Sequence, residues 1–428
     1  MRRLGGKACP YEPVFARQRK ARFVKTAQEE NRYKEFIAFT ALLTSAVALS
    51  IDMLLPAFSD LRLDFSLAED SNLPALTITC LFIGMAIGTP IYGPLADTFG
   101  RIRILQIGIF LFAIGAIGST FAPNFSFLLI SRVIWGFGCA APRSLAQAMV
   151  RDRFEGDEMA RVMGIIQTVF FAGPVLAPLI GHLLLQIGSW RLTMAFGLAT
   201  AIAMWIWSFR IPESLTENKK RALTFESLRT GVNAVCRNRT TVGYSLTLMF
   251  AAGAFYSFLS SSELIVTQVL SRPGWFVPYF SVTMVVMAAV ALMGSKLVGR
   301  IGARSMARRA IIAQFVFSSI SLIVALSTSG VPPAILWMFL TSAQIASMVL
   351  MMPTMTTLSL EPMGDLAGTA TSIIGFLSLA GGALLGASID RQITSTVTPL
   401  SAGYVLFTGI GLLVLTFVVP KAPQKLCT

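Results

Sequence analysis

Apolar runs recur along this chain at about the length a helix needs to cross roughly 30 Å of hydrocarbon, about 20 residues each. Twelve can be marked. The first six lie near 36–56, 73–94, 104–122, 126–150, 161–187 and 191–210, and the second six near 241–270, 276–298, 308–327, 332–353, 366–387 and 402–419. Strands are excluded, because unpaired backbone groups cannot face lipid and these runs are too long for barrel strands. The expected fold class is therefore an all-α integral membrane protein. Only 13% of the residues are charged, against about 25% in a soluble domain. A net charge of +14 would point to nucleic acid in a soluble chain. Here the basic residues avoid the apolar runs, so the expected partner is the lipid bilayer and no nucleic acid.

Sorting the charges by side gives an orientation. The tail before the first run, every second connection and the final tail together hold 29 of the 35 Lys and Arg. The other side has Arg62, Arg191, Arg272 and Arg391, while Arg132 and Arg143 fall inside a run. The positive-inside rule then places both termini in the cytoplasm. The expected division is a basic cytoplasmic tail (1–35), an N-terminal six-helix bundle (36–210), a cytoplasmic linker (211–240), a C-terminal six-helix bundle (241–420) and a short tail (421–428). The first 35 residues have no apolar core of the kind a cleaved signal peptide carries. "GPLADTFGRIR" (93–103) is echoed weakly about 200 residues later by "SKLVGRIGARS" (295–305). Such a repeat suggests two bundles related by a pseudo-two-fold, with a site between them.

Several chemistries are unsupported. The five cysteines, Cys9, Cys80, Cys139, Cys236 and Cys427, are scattered, and His182 is the single histidine. No CxxC pair, His cluster or GxxxxGK[ST] phosphate loop is present. The expectation is no metal, no cofactor, no enzyme activity and no ATP-driven motor within the chain.

"GPLADTFGRIR" resembles the signature between helices two and three of the major facilitator superfamily, G-x-L-A-D-x-x-G-R-x-R. "LSIDMLLPAF" (49–58), "SRVIWGFGCAA" (131–141), "VRDRF" (150–154), "AGPVLAPLIG" (172–181) and "LAGTATSIIGFL" (366–377) narrow the likeness to the Bcr/CflA drug resistance transporters. The resemblance covers 36–420. It implies the major facilitator fold, twelve transmembrane helices in two six-helix bundles, and proton-coupled export. In that family the cluster Gly93, Asp97, Gly100 and Arg101 is understood as a latch between the bundles, with Asp97 facing the N-terminus of helix eleven. Arg101 and Arg103 serve equally as topology-setting charges. Gly173, Pro174, Pro178 and Gly181 match a helix-five pattern that packs and bends that helix. Trp135 replaces a Gln of the helix-four signature, a change expected to alter the cavity.

Charges inside the membrane are functional pointers, since each costs at least about 2.5–3.5 kcal/mol to place there. Asp52, in the outer third of the first run, is expected to be a protonatable carboxylate. Arg132 is the positive group expected to govern its protonation or to compete with substrate; a static ion pair is the other reading. Arg143 stands eleven residues beyond Arg132 on the same helix face and either reaches the cavity or snorkels to headgroups. Glu263, among serines in "FLSSSELIVTQVL", is either a second proton or cation site or an interfacial carboxylate. Gln344 either bonds a ligand or joins two helices. Met348, Met351, Met352 and Met355 suit an adaptable binding surface or face lipid. His182 reads best as a packing or interfacial residue.

The expected function is proton-coupled efflux of drugs or other amphiphilic small molecules by alternating access across the bacterial inner membrane. Its partners are a small-molecule substrate and protons, and the chain is expected to act as a monomer. The alternatives are export of one metabolite, such as an amino acid, sugar or siderophore, and a non-transporting receptor.

Overall fold

The computed structural model of the protein describes residues 27–215 and 232–420. Most of the basic tail, residues 216–231 of the linker and the tail 421–428 lie outside the described residues. The rest is helical: α1 Ala27–Asp52, α2 Leu76–Phe99, α3 Arg101–Thr120, α4 Phe125–Arg153, α5 Gly156–Ile187 and α6 Arg191–Ser208. The second half repeats the count with α7 Arg239–Leu264, α8 Phe276–Ile301, α9 Ala303–Ser327, α10 Ala334–Leu360, α11 and α12 Thr398–Phe417. Helix α11 is built from Ala367–Phe376 and Gly382–Asp390, joined by a π turn Leu377–Gly381. Among the described residues, eleven helices are long and apolar enough to cross a membrane. The twelfth run expected from sequence is α6, 18 residues long. Arg191, Trp205 and Trp207 lower its apolar character, yet at 1.5 Å per residue it reaches about 27 Å, close to the hydrocarbon thickness.

Two local departures matter for the site. The first span does not run straight to Pro56. Helix α1 stops at Asp52, a 3-10 turn Leu55–Ala57 carries Pro56 near its start, and a short helix Phe58–Asp64 follows. Proline has no N–H to give the preceding turn, so the axis breaks immediately after the first span's carboxylate. The second departure strengthens the repeat: Gly100 (φ 102°, ψ 147°) and Gly302 (φ 80°, ψ 151°) make the same reversal between α2 and α3 and between α8 and α9. That region of backbone space is open essentially to glycine alone. The weak echo in sequence is thus one turn built twice.

Close approach of backbones holds the first half together. A Cβ on Gly84 would collide with the Val133 carbonyl, and one on Gly136 with the Leu81 carbonyl, so α2 and α4 cross in direct contact. Lipid supplies no hydrophobic drive between helices, and such small-residue contacts replace it with dispersion. Trp135 fills the hollow this packing leaves, 1% exposed, tilted on Phe112 of α3 and lying where a Gly197 Cβ of α6 would stand. Trp135 therefore belongs to the interior of the first half and not to the cavity wall, which corrects the expectation drawn from its departure from the signature. The halves meet along two seams, α2 against α11 and α5 against α8. The connections α2–α3, α4–α5 and α8–α9 share one end of the bundle, with Arg101, Arg151, Arg153, Arg300 and Arg304; this is the basic face, and the other end is the opposite face.

Candidate functional site

Between the halves lies a cavity of ≈ 170 Å³. Its wall includes Asp52 at the end of α1, Arg143 of α4 and Pro174 of α5, faced by Tyr256, Met348 and Met352 of the second half. Asp52 is 3% exposed, and its Oδ1 has no protein partner. Among the described residues it forms no ion pair. Arg143, exposed, shares the cavity with it, so one acid and one base line a space otherwise bounded by aromatic, aliphatic and thioether side chains.

Arg132 sits elsewhere. It is fully buried, donates from Nε to the Thr77 carbonyl (3.3 Å) and from Nη2 to the Ser50 carbonyl (3.1 Å), and lies 5.0 Å from the Trp135 ring centroid. It ties the last turn of α1 to the first turn of α2. The structure gives it no ion pair with Asp52, whose cavity has Arg143 on its wall instead, without an ion pair between the two.

Toward the opposite face the cavity is roofed in layers. Phe82 of α2 stacks on Tyr256 of α7 with ring centroids 3.9 Å apart and planes 21° apart. Beyond it, Arg62 of the short helix donates from Nη2 to Glu263 Oε2 at 2.8 Å, with both side chains 3% exposed, and Ser59 donates to Glu263 Oε1 at 2.9 Å. Asn72 donates to Ser261 Oγ (2.8 Å) and to the Asp390 carbonyl (3.1 Å). These bonds join the first half to α7 and α11, so Glu263 is part of a seal and does not line the cavity.

Toward the basic face a second cavity, ≈ 250 Å³, separates α2 and α4 from the first turns of α11. Asp97 and Arg101 stand on one wall, and Gly368, Thr369 and Ser372 on the other. Arg101 pairs with Asp97 at 2.6 Å and with Asp152 of α4 at 2.9 Å, all within the first half. Glu213, after α6, accepts from the backbone N–H of Arg101 (2.9 Å) and Ile102 (3.1 Å), an acid at the positive end of α3. Gly93 stands at the seam, where a Cβ would lie 3.9 Å from Ser372 Oγ. The signature residues thus clamp α2, α3 and α4 together, with α11 across a gap. Arg103 is exposed.

A model of the Major Facilitator Superfamily matches residues 40–387. The chain belongs to that superfamily. A bicyclomycin resistance protein homolog of Haemophilus influenzae is 27% identical over 369 residues, 85% of this chain and 91% of that one. The multidrug efflux pump SdrM of Staphylococcus aureus is 34% identical over 153 residues, 35% of this chain and 34% of that one. Among solved structures, the xylose transporter XylE of E. coli in a partially occluded inward-open conformation superposes with a TM-score of 0.71 at 14% identity, covering 91% of this chain and 98% of that one. This superfamily member is a multi-pass membrane transporter and not an enzyme.

The remaining candidates scatter over the superfamily fold. A Cβ on Gly173 would lie 2.6 Å from Ala48 Cβ, and one on Gly181 would meet the Met53 carbonyl, so both let α5 lie against α1; Pro178 is buried one turn beyond Pro174. Gln344 is buried and donates to the Phe317 carbonyl of α9 at 3.3 Å, a helix-to-helix bond. Met351 and Met355 pack in the core of the second half, while Met348 and Met352 reach the cavity. His182 is exposed beside Gln186 of its own helix. Sequence reading missed Arg62, Glu213 and Asp390. Their partners are 201, 111–112 and 129–133 positions away, and only the "SSSE" run hinted at a polar centre there.

Proposed function

We propose that this chain exports amphiphilic small molecules in exchange for protons, with Asp52 as the coupling carboxylate in the central cavity. The observation that carries this reading is Asp52 itself: a buried acid without a cation partner, on the wall of a space enclosed by both halves. An ionised acid in such surroundings is expensive, and a proton or a cationic cargo relieves the cost. Met348, Met352, Phe82, Phe255 and Tyr256 give that cargo adaptable apolar walls, and Arg143 offers a countercharge to an anionic group. The names of the relatives, a bicyclomycin resistance protein homolog and a multidrug efflux pump, favour drugs over a single metabolite.

Positive-inside asymmetry supports placing the basic face and both termini in the cytoplasm, which makes the sealed end the outer one. Alternating access then runs by rocking 36–210 against 241–420 in the bacterial cytoplasmic membrane, with one chain as the working unit. Protonation of Asp52 from outside releases cargo, and deprotonation toward the cytoplasm readmits it. Inverted vesicles carrying a quenched pH dye test the scheme. Adding a cationic drug should release protons from wild-type vesicles and not from Asp52→Asn ones, whose uncharged amide stands in for the protonated acid and should hold the drug more weakly. Drug-driven proton efflux of wild-type size from Asp52→Asn removes Asp52 from the mechanism; silence of the wild type across a broad drug panel favours a dedicated metabolite.

A further inference from the structure

A second buried carboxylate lies outside this scheme. Asp390, the last residue of α11, is 3% exposed and among the described residues forms no ion pair. Three serines from two successive turns of α7 surround it: Ser257 and Ser261 donate to Oδ1 at 2.6 and 2.8 Å, and Ser260 Oγ stands 2.7 Å from Oδ2. The same Ser260 Oγ stands 2.5 Å from the Tyr256 carbonyl oxygen. A serine hydroxyl has one hydrogen and a carbonyl oxygen has none. If Ser260 gives its hydrogen to Tyr256, the short contact to Oδ2 needs a hydrogen from the carboxyl; if it gives it to Oδ2, two bare oxygens face each other at 2.5 Å. A protonated Asp390 donating to Ser260 satisfies both contacts, and an ionised one accepts from Ser260 by sharing its hydrogen with Tyr256, so the three serines form a cradle that takes the acid in either state.

This acid is wired to the seal. Asn72, from the first half, donates to Ser261 Oγ and to the Asp390 carbonyl. It also has a way out: a cavity of ≈ 290 Å³ runs from Asp390 between the exposed Asp70, Leu73, Arg391 and Thr394 at the opposite face. The other ionisable groups around it are Asp70 and Arg391 at the rim, Tyr256 and Glu263 on α7, Tyr404 on α12 and, behind Tyr404, Tyr279 on α8. Glu263 is already held by Arg62.

We propose that Asp390 is a proton-binding site of the second half, loaded from the opposite face, whose protonated form keeps that face shut through Ser260, Ser261 and Asn72. Loss of the proton leaves a charged carboxylate among the three serines, with Ser260 sharing its hydrogen between Oδ2 and Tyr256. Water entering by the rim cavity then hydrates the carboxylate and parts Asn72 from α7 and α11. The proposal rests on alternating access and is independent of whether Asp52 carries the coupled proton.

Ala75, 1% exposed and on the wall of the rim cavity, reports the opening. Ala75→Cys is labelled in intact cells with a membrane-impermeant maleimide across external pH, with the chain lacking this cysteine as background. Divided at each pH by the labelling of Leu73→Cys, exposed at the same rim, which removes the thiol's own ionisation, labelling should rise at least about tenfold from acid to alkaline pH, and should do so equally in Asp52→Asn. In Asp390→Asn, whose amide donates permanently to Ser260, it should stay low at every pH. Ser260→Ala, which keeps the acid but removes a hydroxyl that bonds the ionised form more strongly than the neutral one, should move the profile to higher pH and serves if Asp390→Asn does not reach the membrane. A flat parent profile, an Asp390→Asn profile matching the parent, or an unmoved Ser260→Ala profile overturns the proposal. A profile lost in Asp52→Asn and kept in Asp390→Asn assigns the opening to Asp52 instead.

Discussion

The pair Arg62–Glu263 should govern how much of the protein rests with its opposite face shut, and the geometry sets a size for the effect. Both side chains are 3% exposed, and Arg62 also donates to the Ser71 carbonyl at 2.9 Å and to Ser59 Oγ at 3.4 Å. In Glu263→Gln the guanidinium keeps those neutral acceptors and loses its countercharge. Removing one partner of a buried pair costs about 3–5 kcal/mol. The retained acceptors argue for the lower end, and about 3 kcal/mol is a shift of about 150-fold between two states. Because the partners sit in different halves, the cost falls on the sealed arrangement alone; once the halves part, both groups reach water. The unfolding temperature in detergent should therefore change little while the conformational balance moves. Spin labels at Leu63→Cys and Thr394→Cys, exposed on the two sides of the seal, read that balance by double electron–electron resonance. Glu263→Gln and Arg62→Gln should each convert most of a short-distance population to a long-distance one. The exchange Arg62→Glu with Glu263→Arg should restore the short distance in part. Distance distributions of both single variants superimposable on the parent would show that the pair is not a seal.

Gly100→Ala should lower the unfolding temperature more than Gly302→Ala. Each puts a side chain at a left-handed φ, a strain of about 1–3 kcal/mol, but at Gly100 the new Cβ also stands 2.7 Å from the Glu213 carboxylate that caps α3, whereas at Gly302 it meets nothing within 4 Å; equal losses would contradict the role of Glu213. Trp135→Ala empties a fully buried site and should cost about 3–5 kcal/mol, read as poor thermal stability with drug preference unchanged; altered preference in a stable protein would return Trp135 to the cavity. Arg132→Gln should likewise lower stability through loss of its bonds to Ser50 and Thr77, while Arg143→Gln should leave stability alone and change KM for charged cargo. Reversal of those two phenotypes would mean that the arginines have been assigned to the wrong duties. Gln344→Leu should be nearly silent in transport, as a helix-to-helix bond in membranes averages about 0.6 kcal/mol.

The sequence by itself determined the helical class, the alternation of charge between the two ends and the family, because each follows from local composition or contiguous residues. Crossing a bilayer demands about twenty apolar residues in a row, and "GPLADTFGRIR" is one contiguous stretch, the end of α2, the corner at Gly100 and the start of α3. Asp52 was legible as well, since an acid inside an apolar run stands out against its cost. What those charges face was decided only in three dimensions. Arg132 and Arg143 share a helix and a face, yet one is spent on backbone carbonyls of α1 and α2 and the other reaches the cavity, a difference set by the glycine contacts that press α4 onto α2. Glu263 reads in sequence as a possible cargo site, and only the folded chain sets Arg62 against it from across the molecule. Asp390 drew no notice at the edge of a run, because nothing in its neighbourhood along the chain tells that three serines far upstream converge on it. Partners so distant in sequence are chosen by how two bundles meet, and that is a property of helix packing as a whole.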